Sequence, residues 1–251
     1  LGNVPLFDWD EINFAESARE MLISGNYLQI QIDYQAFAEK PPFFIWLQVI
    51  SMKFLGVNEF AARLPNALIG MFTMLTLLAI GKRIKDEHFG ALWALVYVSC
   101  FLPHFYFKSA LIDPVFNLFI FTGIYFASKI TENDEFTAKK QRRKIRNKAV
   151  FYAGFFIGLA VLTKGPVGLL LFSLTYLMLF ALSRFKRLNN LWEMVYFGII
   201  CIATISVWYG FEWYVHGPAF MDGFLQRHID LLTTADAVSY THLRAHETLL
   251  D

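Results

Sequence analysis

Charge is scarce in this chain, and cysteine scarcer still. Only 17% of its 251 residues are Asp, Glu, Lys or Arg, where an ordinary soluble domain has about a quarter. With 56% hydrophobic residues and a mean hydropathy of +0.43, that deficit argues against a water-soluble globule and for a polytopic membrane protein. The two cysteines, Cys100 and Cys201, sit inside apolar runs with no partner near in sequence. They read as packing or lipid-facing residues, without a disulfide or metal role. The basic cluster lies between hydrophobic runs without interleaved aromatics, which argues against nucleic acid as a partner. A signal peptide is missing too, and the first residue is Leu1 rather than Met. The expectation is a fragment whose first span has been lost. At the other end, Val238–Thr248 (VSYTHLRAHET) reads as a translated sequencing adapter. Residues 238–251 are therefore set aside as a non-native tail, including the i, i+4 pair His242 and His246.

Long apolar runs are what the chain does have. A hydrocarbon core about 30 Å thick needs roughly 20 helical residues. Leu64–Gly81, Phe89–Phe107, Leu111–Ser128 and Leu191–Trp213 approach that length. The apolar stretch from Ala149 to Ser183 is too long for one span. Lys164-Gly165-Pro166 interrupts it as a turn would, giving Ala149–Thr163 and Pro166–Ser183 and a total of six spans. Phe43–Gly56 is apolar but only 14 residues long, too short to cross, and predicts a helix lying in the interface.

Charge placement sets the orientation. Three basic residues lie in 82–85, eight between Lys129 and Lys148, and three in 184–187: 14 of the 22 in the chain. A six-span topology puts all three loops on one side, which the positive-inside rule makes cytoplasmic. The opposite, extracytoplasmic side then holds Asp10-Glu11, Glu39-Lys40, Arg63, Lys108, Asp113, Lys164 and His216. The expected organisation is an extracytoplasmic loop with interfacial helices over 1–63 and six transmembrane helices over 64–213. The start of a second large outer loop follows over 214–237, then the tail. The expected location is the plasma (inner) membrane, as a multi-pass protein.

Those outer residues are the candidates for chemistry. Asp10-Glu11 opens DEINFAESAREML, where Phe14, Ala18, Met21 and Leu22 form an i, i+4, i+7, i+8 stripe. This predicts an amphipathic surface helix ended by Ser24-Gly25-Asn26. Helix capping competes as an explanation of the acids, since Asp8 and Glu11 have capping-box spacing. Glu39-Lys40 precedes two prolines at the entry to the interfacial helix. Lys40 there either snorkels or holds a phosphate, with Glu39 fixing it or the substrate. Asp113 before Pro114 is a helix N-cap or a functional acid. Lys164 is a cation in an outer hairpin, against the charge bias. His216 follows the last span and His228 comes 12 residues later; two histidines do not make a metal site.

Six sequence blocks carry a resemblance: LFDWDEINFAESAREM, EKPPFFIWLQ, EFAARLPNAL, SALIDPVFN, LTKGPVG and WYVHGPAFMDGFLQRH, in that order across residues 6–228. The sequence resembles the dolichyl-phosphate-mannose–protein mannosyltransferase and aminoarabinose transferase group of polytopic glycosyltransferases. The resemblance implies an all-α, multi-span helical bundle of GT-C type with interfacial helices in its first outer loop. It implies sugar transfer, with inversion, from a polyprenyl-phosphate carrier to a protein hydroxyl, lipid A or another glycan. Asp10, Glu11 and Asp113 would be catalytic, and Lys40 and Lys164 would contact the lipid phosphate or its surroundings. Glu39 and His216 join them as substrate-binding candidates. No protein-bound cofactor or metal ligand set is implied, and neither sugar nor acceptor is specified. Family members continue with more spans, so the resemblance also implies that this piece is inactive alone. The rival from another class is a transporter or flippase, which would keep its ionisable groups near the bilayer midplane.

Overall fold

The computed structural model describes residues 1–7, 10–37, 40–131, 139–182 and 190–217, with positions 224, 226 and 229. Asp8, Glu39, His228 and the tail from 238 lie outside the described residues. The chain divides into two units, Leu1–Trp208 and Tyr209–Asp251.

In the first unit, α1 (Asp10–Ser24) buries Phe14, Ala18 and Met21 as the stripe requires, while Leu22 stays partly exposed. It stops where Gly25 turns to φ +70° and its N–H bonds to Met21 O at 3.1 Å, the left-handed helix ending that glycine permits. A two-residue hairpin follows, β1 (Gln31–Ile32) against β2 (Gln35–Ala36). It is the one strand pair among the described residues of an otherwise all-α chain. Its turn residues Asp33 and Tyr34 both have positive φ, 54° and 57°, without the glycine that normally signals such a turn. Buried Glu20 on α1 compensates, accepting the Tyr34 N–H at 3.0 Å.

Helix α2 (Phe43–Leu55) is the short apolar element of the sequence reading. It buries Phe44, Ile45 and Val49 and leaves Ile50 and Phe54 outside. Phe44 meets Phe14 of α1 edge-on at 5.7 Å. α3 (Glu59–Ile84) is capped by Asn58, whose side chain accepts the Ala61 N–H at 2.9 Å. α3 runs beside α4 (Glu87–Ser99). Their crossing is as close as backbone allows, because a Cβ on Gly81 would sit 2.5 Å from the Gly90 Cα. Such contacts between small residues are a usual way for membrane helices to associate.

The expected span Phe89–Phe107 is divided. α4 ends at Ser99, Cys100 is extended (φ −68°, ψ 139°), and α5 (Phe101–Tyr106) restarts. Pro103 explains the break: it has no N–H for the Ser99 carbonyl and its ring would collide with it. α6 (Asp113–Thr131), α7 (Lys139–Lys164), α8 (Val167–Leu182) and α9 (Leu191–His216) follow the remaining predicted runs. The Lys164-Gly165-Pro166 interruption is a tight turn with Gly165 at φ +79°. Among the described residues, α3, the Arg143–Lys164 part of α7, and α9 are long and apolar enough to cross a membrane. α8, at 16 residues, extends about 24 Å. The protein is a polytopic helical membrane protein. Cys201 is buried in it, and Cys100 is exposed at the α4–α5 break.

Candidate functional site

Arg63 near the start of α3, Asp113 at the start of α6 and Lys164 at the end of α7 share one end of the first unit's helices, opposite the basic residues at 82–85 and 143–148. Glu11 organises that end. Its side chain is fully buried beside Arg63, itself 3% exposed. Arg63 Nε donates to Glu11 Oε1 at 3.1 Å and Nη2 to Oε2 at 2.7 Å. The carboxylate also accepts the Phe7 N–H at 2.6 Å and the Ala110 N–H. Four donors fill the roughly four acceptor positions of a carboxylate. Arg63 is equally complete. Its other donors reach Leu1 O and Val4 O from Nη1, at 2.8 and 2.7 Å, and Pro5 O from Nη2 at 2.8 Å. The Phe7 ring lies 5.3 Å from the guanidinium carbon. One ion pair thus ties the irregular N-terminal segment, α1, α3 and the α5–α6 loop together.

Asn66, one turn further along α3, grips the same loop from the other side. Its Nδ2 donates to Ser109 O at 2.7 Å and to Leu111 O at 2.6 Å. Residues 109–111 are therefore held by Glu11 and Asn66 together, and this segment leads directly into Asp113. Sequence reasoning missed both grips. Arg63 and Asn66 belong to a recognised block, but nothing local marks partners 52 and 43 residues away.

Asp10 begins α1 and is exposed. Successive helical residues point about 100° apart, so burying Glu11 turns Asp10 to the open side. On the same helix Arg19 Nε bonds Glu16 Oε2 at 2.8 Å, which holds the Glu16 carboxyl below its usual range. Asp113, the first residue of α6, pairs with Lys164, the last of α7, at 2.6 Å. Both side chains are about one-third exposed, and the Lys164 ammonium lies 5.6 Å from the Phe116 ring centre. Each charge also complements the dipole of the helix end it occupies. Lys40 is partly exposed just before α2. Phe43 of α2 meets Phe119 of α6 at 5.2 Å, so the start of α2 lies along the helix that Asp113 opens. His216 belongs to the second unit, where Nδ1 lies 2.7 Å from Glu212 Oε2. Among the described residues, no three His, Cys, Asp or Glu side chains come together as a metal site requires.

Comparison with known proteins agrees with this architecture. Over 90% of its length the chain superposes with a TM-score of 0.78 on the crystal structure of ArnT from Cupriavidus metallidurans bound to undecaprenyl phosphate. Identity there is 23%, and 40% of that chain is covered. Two curated relatives are undecaprenyl phosphate-alpha-4-amino-4-deoxy-L-arabinose arabinosyl transferases. The one from Shewanella sediminis is 30% identical over 68% of this chain. One from Proteus mirabilis is 29% identical over 80% of it. The chain spans 30% and 35% of those two relatives' lengths. The profile of one family, described as dolichyl-phosphate-mannose-protein mannosyltransferase, matches residues 39–209, and the chain belongs to that family.

Proposed function

We propose that this chain is part of a membrane glycosyltransferase that moves a sugar from a polyprenyl-phosphate carrier to an acceptor on the extracytoplasmic face. The observation that carries the reading is the Glu11–Arg63 clasp. It fixes the first turn of α1 against the loop entering Asp113, with the Asp113–Lys164 pair at that same end. The arabinosyl transferase relatives support a polyprenyl-phosphate donor, with a protein hydroxyl, lipid A or another glycan as acceptor. In the proposed reaction Asp10 removes the proton of the acceptor hydroxyl. The oxygen attacks the anomeric carbon from the face opposite the carrier. The C–O bond to the carrier phosphate breaks with inversion, and the phosphate departs with the electron pair. Lys164 and Lys40 offset its charge, as electrostatic stabilisation of a leaving group requires. A phosphate acceptor would need no base, and Asp10 would then orient the nucleophile. Glu11, with its acceptor positions filled, is assigned a positioning role, and Asp113 sets the place of Lys164. Glu39 and His216 remain substrate-binding candidates by position in the sequence.

Lys164→Gln tests the donor side. A hydrogen bond to a charged group contributes about 1.5–3 kcal/mol, so apparent affinity for the lipid-linked donor falls at least tenfold, by the usual conversion of about 1.4 kcal/mol per decade. Arg restores it only in part, because a planar fork does not reproduce a compact ammonium. The full-length enzyme is assayed with donor varied at fixed acceptor. A stability loss with unchanged donor dependence would leave Lys164 as a structural partner of Asp113 alone.

The proposed face has its own test. In a Cys100→Ser/Cys201→Ser background, Lys108→Cys is labelled by an impermeant thiol reagent on intact cells and Lys144→Cys is not. Labelling of Lys144→Cys from outside would invert the orientation and remove the outer site.

A further inference from the structure

The opposite end of the first unit carries a second feature, unrelated to sugar transfer. A cleft of about 530 Å³ opens between α7 and the first turns of α9. Arg143, Lys144 and Lys148 line one part of it, Phe151, Tyr152 and Tyr196 the other. These aromatic rings are 39%, 42% and 38% exposed. None of the three cations forms an ion pair among the described residues. Arg146 does: it grips Glu193 of α9 with two bonds of 2.7 Å. That pair neutralises the nearby carboxylate and fastens the two walls together, so the cleft is fixed and positive.

We propose that this cleft binds an anionic phospholipid of the leaflet at the basic end. The division of its lining follows the division of such a molecule. The cations stand on the polar part of α7, where a phosphodiester lies. The rings begin where the helix turns apolar at Ala149, the depth at which aromatic side chains line a membrane interface. Basic pockets between membrane helices are a recognised way of holding lipid headgroups. The volume accommodates a headgroup and the start of its acyl chains.

Native mass spectrometry on the purified full-length protein tests this with phosphatidylglycerol against phosphatidylcholine. The wild type retains phosphatidylglycerol preferentially. Each cation near the headgroup is worth roughly fivefold, so Arg143→Gln/Lys144→Gln/Lys148→Gln lowers retention on the order of 100-fold. Lys82→Gln/Arg83→Gln/Lys85→Gln, which removes the same charge from another loop, leaves retention intact. Asn147→Trp fills the cleft at unchanged charge and also removes the preference, which guards against a triple variant that misfolds. Equal retention of the two lipids by the wild type, or undiminished preference in the plugged protein, would overturn the proposal. So would displacement of the bound lipid by inorganic phosphate, since the site would then take free anions.

Discussion

Asp10→Asn in the full-length protein lowers transfer to a hydroxyl acceptor by about 10²–10⁴-fold, the usual contribution of a positioned general base. The substitution is nearly isosteric and keeps an oxygen able to cap the first turn of α1. Expression and thermal stability therefore stay at the wild-type level, which separates chemistry from capping. The neighbouring position supplies the contrast. Glu11→Gln retains the shape but loses the charge inside the Arg63 clasp, so stability and activity decline together. An active Asp10→Asn enzyme would reduce Asp10 to a capping residue and remove the base from the proposed reaction.

Arg63→Met has the largest expected effect on stability. It leaves the fully buried Glu11 carboxylate with only the Phe7 and Ala110 N–H groups and frees the Leu1, Val4 and Pro5 carbonyls of the N-terminal segment. Breaking a buried pair by removing one partner costs about 3–5 kcal/mol. Arg63→Lys keeps the charge but cannot serve two carboxylate oxygens and three carbonyls at once, so it falls between wild type and Met. Denaturation of the purified full-length protein in detergent, followed by tryptophan fluorescence, reads the loss. A wild-type midpoint for Arg63→Met would show that the clasp does not hold this end together.

The helices were legible wherever the signal was local. The α1 stripe, its glycine ending, the short α2 and the Lys164-Gly165-Pro166 turn all follow from neighbouring residues, and each stands close to where those residues place it. The break at Cys100 was legible in principle, since Pro103 forbids a continuous helix there, but the apolar run outweighed it. The hairpin was not legible, because Asp33-Tyr34 lacks the usual turn chemistry and is supported by Glu20, 14 residues before Tyr34. The clasp was the largest omission. Nothing local in the sequence marks Arg63 as the partner of Glu11, 52 residues away. Helical spacing already puts Glu11 on the face of Phe14 and Ala18 and turns Asp10 away from it; what only the three-dimensional path of the chain reveals is that Arg63 meets Glu11 there. Asp113 and Lys164 each stand out locally as outer-side charges, but a pairing across 51 residues leaves no local signal.

The central proposal is that the bond between sugar and carrier phosphate is broken here, rather than the intact lipid being carried across. Proteoliposomes containing the full-length protein, a doubly labelled polyprenyl-phosphate-linked sugar and an acceptor mixture decide it by following both labels. Free polyprenyl phosphate and glycosylated acceptor then form in equal amounts, and both are lost in Asp10→Asn. Movement of the uncleaved lipid-linked sugar to the other leaflet, with no carrier phosphate released, would contradict it.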